Sequence, residues 1–156
     1  IFAHRGTGEE IKVAGLDRLM DVSLDAMDRL PDGGLAMTNF VDFDSVYGHR
    51  RDALGYGAAL EAFDARLPEL LRALGRDDLL VLSADHGCDP TWSGSDHTRE
   101  TIPLLAWSPM LRARCVGRRE SFADIGQGFA THLGLPPLAA GSCFLVNTVA
   151  EGSEHP

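Results

Sequence analysis

The sequence predicts an α/β fold, a layered sheet with flanking helices. Three observations carry that prediction. Apolar runs of strand length alternate with amphipathic stretches of helix length. Residues 79–84 (LLVLSA) form a continuous apolar run of the kind found in a strand covered on both faces. Two acidic motifs stand just past the carboxyl ends of predicted strands, where ligands collect in layered α/β sheets.

In chain order, residues 1–13 read as irregular, with Gly6 and Gly8 marking a turn. From 16 to 30 the residues Leu16, Leu19, Met20, Val22, Leu24, Met27 and Leu30 suit an amphipathic helix, and Pro31-Asp32-Gly33-Gly34 stops it. Residues 35–41 (LAMTNFV) are mostly apolar and of strand length, opening onto Asp42-Phe43-Asp44. Asp52 is placed to cap the next helix, whose stripe is Tyr56, Leu60, Phe63 and Leu67. Pro68 lacks the helical N–H, so a kink or restart is expected there before Gly75 ends the helix. The strand at 79–84 follows, then a third short strand at 103–108, a helix at 122–133 ending near Gly134, and a polar tail from Glu151.

Composition bounds what this fold can do. At 156 residues the chain suffices for one domain with a core, and its 44% hydrophobic and 24% charged residues are ordinary for a globular protein. No apolar run approaches the roughly 18 residues of a membrane span. A formal net charge of −9 opposes binding to a nucleic-acid backbone, and the basic clusters (Arg50-Arg51, and Arg112 and Arg114 with Arg118-Arg119) are too short to reverse it. Neither nucleic acid nor membrane is therefore expected as a partner. Three cysteines, Cys88, Cys115 and Cys143, without CxxC spacing, predict no disulfide framework and a reducing cytoplasm. Cys88 lies within the richest motif but reads first as a small hydrophobe.

The chemistry resides in three segments. Residues 81–87 (VLSADHG) end a strand in Asp85 and His86, followed by a glycine that permits a sharp turn. Eleven residues after His86 comes His97, across a loop rich in Gly, Ser, Asp and Pro. Asp44 and, five residues on, His49 supply the third carboxylate–imidazole pair. Carboxylate oxygen with imidazole nitrogen suits Mn²⁺, Zn²⁺ or Fe²⁺, and the absence of Cys from the set argues against a structural zinc. Five such ligands exceed the need of one catalytic ion. A pair roughly 3.5–4 Å apart, able to clamp a phosphoryl group, is the economical reading.

Segments 39–52 (NFVDFDSVYGHRRD) and 83–100 (SADHGCDPTWSGSDHTRE), together with Ile1-Phe2-Ala3 and Pro103-Leu104-Leu105, resemble the phosphopentomutase family of the alkaline phosphatase superfamily. The resemblance implies an alkaline-phosphatase-like core in which Asp85 and His86 bind one Mn²⁺ while Asp44, His49 and His97 bind the other. It implies interconversion of (deoxy)ribose 1-phosphate and 5-phosphate through a phosphothreonine. The family's nucleophilic threonine and a further Asp ligand belong to an N-terminal portion, and a cap domain closes over the sugar. None of these is recognisable here. Residues 1–150 are therefore expected to be the C-terminal part of the phosphoryl-transfer core, an incomplete one, with 151–156 a tail. The isolated chain is expected to bind metal weakly and to show little mutase activity. Two other readings stand beside this one: a related enzyme such as a cofactor-independent phosphoglycerate mutase, and an inactive metal-binding fragment.

Around these ligands, Asp42 is either a turn residue or a support for Asp44. Arg50, Arg51 and Arg99 either approach phosphate or pair with carboxylates such as Asp52 and Glu100. Thr98 can donate a hydrogen bond near the metals but is not the expected nucleophile. His4, His132 and His155 lack such company and read as exposed or structurally satisfied.

Overall fold

A computed structural model describes Arg5 and residues 8–145. The opening residues 1–3, His4, the turn at Gly6, His155 and the polar tail from Glu151 lie outside the described residues. The chain divides into two compact units, one up to Met110 and one from Leu111.

The first unit begins with α1, Leu16–Arg29, which buries Leu19, Met20 and Ser23 on one face. Asp17 in its first turn and Arg29 in its last both complement the helix dipole. Buried Ser23 donates its hydroxyl to the Leu19 carbonyl, 2.7 Å, and so accepts from Thr38 Oγ1 at 2.6 Å. That bond ties segment 35–41 to α1. The segment is not the expected strand, because among the described residues no ladder partner pairs with it. From Met37 it keeps a period-two pattern, with Thr38 and Phe40 less exposed than Met37, Asn39 and Val41. Apolar alternation was legible there; pairing depends on another strand.

Helix α2, Ala53–Ala73, starts where Asp52 accepts from the Gly55 N–H at 2.8 Å, the cap expected of it. It runs through Pro68 without the anticipated restart. A missing N–H costs one hydrogen bond, and here anchors on both sides hold the helix across the gap. Leu70 is buried beyond it, and before it Arg66 donates to the Asp17 carbonyl, Asp21 and Glu69, bridging α2 to α1. Edge-to-face aromatic contacts of Phe40 with Phe63 (5.1 Å) and of Phe43 with Tyr56 (5.5 Å) seat residues 40–43 on this helix.

Strand β1, Leu80–Ser83, pairs antiparallel with β2, Leu104–Trp107, in the register Leu80↔Trp107 to Ser83↔Leu104. These are the two later strands expected, and they form a two-stranded sheet. The run expected to be covered on both faces is only half-buried, since a sheet of two short strands has one packed face. Leu105 and Trp107 point outward. The fold is thus a mixed helix-and-strand arrangement. Among the described residues no helix is long and apolar enough to cross a membrane.

In the second unit, α3 (Ala123–His132) matches the predicted helix to within a residue at each end. Buried Asp124 accepts from the Ser142 N–H at 2.8 Å and from Arg119 Nε at 2.7 Å. Phe144, fully buried, lies over Gly128, where no Cβ would fit.

Candidate metal centre

Asp44 and His49 are not set just beyond a strand, as their motif suggested. They lie on a π-helical segment, Phe43–Gly48, and its C-cap. Residues five apart on an α-helix diverge by roughly 140°. In the wider ladder the His49 N–H bonds directly to the Asp44 carbonyl at 2.9 Å, which brings the two side chains to one side. Asp42 precedes this segment and makes no capping hydrogen bond.

Asp85, His86 and His97 come from the connection between β1 and β2. Its neck is closed by an antiparallel bridge, Gly87↔Thr98, so that residues 88–97 form a closed loop. Gly87 is required there, because a Cβ would meet the Glu100 nitrogen at 2.5 Å. Thr98 Oγ1 accepts from the Asp89 N–H at 2.6 Å and donates to Glu100 at 2.5 Å, bracing the neck. The π-helical segment abuts this loop at Gly48, where a Cβ would fall 2.6 Å from Cys88 Sγ.

Between the two segments four of the five predicted ligands come together around one atom. Asp44 Oδ1 lies 3.3 Å from His97 Nε2, 3.5 Å from His49 Nε2 and 3.8 Å from His86 Nε2. The ligand atoms of Asp44, His86 and His97 all lie within 4.8 Å of one another. His49 Nε2 is 3.2 Å from His97 Nε2, and the rings of His86 and His97 stack with centroids 3.7 Å apart. Asp85 stands at the rim, mostly exposed, with Oδ1 3.7 Å from His86 Nε2. The tightest trio thus takes Asp44 and His97 from one expected ligand set and His86 from the other.

The protonation pattern follows from the backbone. His49 Nδ1 faces the Ser95 carbonyl at 2.5 Å and His86 Nδ1 faces the Gly87 carbonyl at 3.0 Å. A carbonyl only accepts, so each Nδ1 carries a proton, and in the neutral ring each Nε2 turns its lone pair toward Asp44. Asp44 Oδ1 is itself buried and has no hydrogen-bond partner. Lone pairs and a carboxylate oxygen aimed at one another repel unless a cation lies between them. The donor set therefore fits a divalent metal, in the mixed oxygen–nitrogen chemistry expected of it. Cys88 is close by, and in the metal-free chain burial, and next the Asp44 carboxylate, push its thiol up.

Arg51 takes neither role foreseen for it. Its guanidinium is spent on backbone carbonyls of the 88–97 loop. Arg50, Arg99 and His132 are exposed. Cys88, Cys115 and Cys143 are free.

Helices beside a small sheet, with carboxylates and imidazoles gathered on a π-helical segment and a loop, make a candidate metal-binding core. A family model described as the metalloenzyme superfamily matches residues 6–137, and the chain belongs to that superfamily. It is 59% identical over 144 residues to a phosphopentomutase of Methylorubrum extorquens, covering 92% of this chain and 36% of the relative. To the phosphopentomutase of Rhizobium johnstonii it is 57% identical over 145 residues, and to that of Shewanella baltica 56% over 145, each covering 93% of this chain and 36% of the relative. The resemblance read from the two motifs thus extends along most of the chain. The chain spans about a third of the length of the curated relatives it matches.

Proposed function

We propose that this chain supplies the metal-binding part of a phosphopentomutase active site, within an alkaline-phosphatase-like layered core to which residues 1–150 contribute. The reading rests on one observation above all: the buried, unpartnered Asp44 Oδ1 faced by three imidazole nitrogens. Asp44, His49, Asp85, His86 and His97 are the proposed ligands, of two Mn²⁺ ions. Such ions, when bound, supply Lewis-acid charge for phosphoryl transfer. The substrates are (deoxy)ribose 1-phosphate and 5-phosphate, and the compartment is the cytoplasm.

The protein's own groups set the stage for that chemistry. The Nδ1–carbonyl bonds of His49 and His86 fix ring orientation and tautomer before any ligand arrives. With a net charge of −9, the chain attracts a phosphorylated sugar only where bound cations reverse the local sign. Thr98 is not the expected phosphoryl carrier; its hydroxyl accepts from the Asp89 N–H and donates to Glu100, which braces the neck of the loop.

Titration with Mn²⁺, followed by the paramagnetic resonance of the free ion, is expected to show saturable binding that His97→Ala abolishes or weakens. Substrate profiling of the intact enzyme is expected to favour pentose phosphates. Preference for 3-phosphoglycerate, or Mn²⁺ binding indifferent to His97, would overturn the proposal.

A further inference from the structure

The 88–97 loop carries no regular secondary structure beyond its neck, yet it must hold His97 against Asp44. Three of its carbonyls are held by a single side chain from the other segment. Arg51 donates from Nε to the Gly94 carbonyl at 2.5 Å, from Nη1 to the Asp89 carbonyl at 2.8 Å and from Nη2 to the Asp96 carbonyl at 2.5 Å. His49, two residues earlier, takes the Ser95 carbonyl between them. Four loop carbonyls are thus gathered by one three-residue stretch. The last of Arg51's acceptors belongs to the residue immediately before His97.

The backbone at Arg51 shows what this arrangement demands. Its φ is 54°, the sole positive φ of a non-glycine among the described residues. A long side chain in the left-handed region is strained and persists only where its surroundings over-determine it. Here the turn is held by the Arg51 N–H on the Gly48 carbonyl, 3.0 Å, and the Asp52 N–H on the Tyr47 carbonyl, 3.0 Å. The side chain reaches the loop carbonyls from this turn. A positive charge beside a cation site does not help the cation electrostatically, so the contribution is geometric.

We propose that Arg51 is a positioning residue: it organises the 88–97 loop in the metal-free protein and so presents His97 to the metal. The proposal rests on the metal-site reading above. A planar fork of separate nitrogens reaches three carbonyls that a single ammonium cannot span, so Arg51→Lys does not conserve the function. Without the fork the loop must be ordered when metal binds, and that cost appears as lost affinity.

The test uses the full chain with Arg51→Lys and Arg51→Gly. Glycine adopts φ 54° without strain, so Arg51→Gly removes the side chain while easing the backbone. Metal-free hydrogen exchange is expected to show the hydrogen-bonded amides of Asp89, Trp92 and Thr98 losing protection in both variants, while α1 and α2 keep theirs. Mn²⁺ affinity is expected to fall about 10–100-fold, the usual effect of removing an outer support of a metal ligand. Unchanged loop protection in both variants would overturn the proposal, as would wild-type Mn²⁺ affinity in both. If the unaltered chain binds no Mn²⁺, the metal-site reading fails, and the exchange measurement still decides whether Arg51 organises the loop.

Discussion

Asp44→Asn should reverse the order of stability between the metal-free and metal-bound protein. In the metal-free chain the carboxylate holds Oδ1 buried without a donor, with lone pairs of His49 and His86 facing it. An unsatisfied buried acceptor costs about 1–3 kcal/mol. The Asp44 side chain is 31% exposed overall, so solvent screens the charge and about 1 kcal/mol is the appropriate figure. An asparagine amide offers N–H donors to those nitrogens and removes the charge. The metal-free variant should therefore unfold roughly 2–4 °C higher than the parent. With Mn²⁺ at a hundred times its dissociation constant, the parent gains about 2.7 kcal/mol, or roughly 5–11 °C, which the variant lacks. Tryptophan fluorescence on heating reads both conditions, since Trp92 and Trp107 lie in the same unit as the site. A variant less stable than the parent without metal would refute the reading of Asp44 Oδ1 as an orphaned acceptor. Equal stabilisation of both proteins by Mn²⁺ would refute its role as a ligand.

Two further outcomes follow from particular hydrogen bonds. Long-range ¹H–¹⁵N correlation on the metal-free chain near neutral pH should find His49 and His86 protonated at Nδ1, because each Nδ1 faces a carbonyl; a proton on Nε2 of either ring would contradict the assigned tautomers. In the second unit the Ser142 N–H, and then the Arg119 guanidinium, hold the Asp124 carboxyl below its usual range against the opposing effect of burial. A depressed folded-state value means that the unfolded chain binds the proton first. The contribution of Asp124 is therefore complete above the ordinary value of about 3.9 and is lost as pH falls from there through the folded-state value. Exchange protection of the α3 amides should decline over that acid window, and Asp124→Asn should flatten the decline. An identical acid limb in the variant would remove Asp124 from the account.

Much of the local structure was legible because it depends on nearby residues. The stripe of α1 and the Asp52 cap each involve groups within a few positions of one another. What escaped depends on distant partners or on rare backbone states. Residues 35–41 have strand composition, but a strand exists only where another pairs with it. The π-helical ladder has no residue pattern of its own, although the interval of five between Asp44 and His49 is the spacing such a ladder brings together. Pro68 argued for a break, yet Arg66 and Leu70 on its two sides hold α2 across the gap.

The candidate ligands were found by type, because only a few side chains offer oxygen or nitrogen to a metal. Their supports were not, because the supports are backbone carbonyls, which every residue possesses. His86 is oriented by the carbonyl of Gly87, and His49 by that of Ser95. Those carbonyls point correctly only because Gly87 tolerates contact with Glu100 and because Arg51 fastens the stretch around Ser95. On the proposed metal-site reading, affinity is set one layer out from the ligands, by a glycine without a Cβ and an arginine at positive φ. A substitution at either position leaves the metal-binding motif intact to the eye while loosening the geometry on which binding depends.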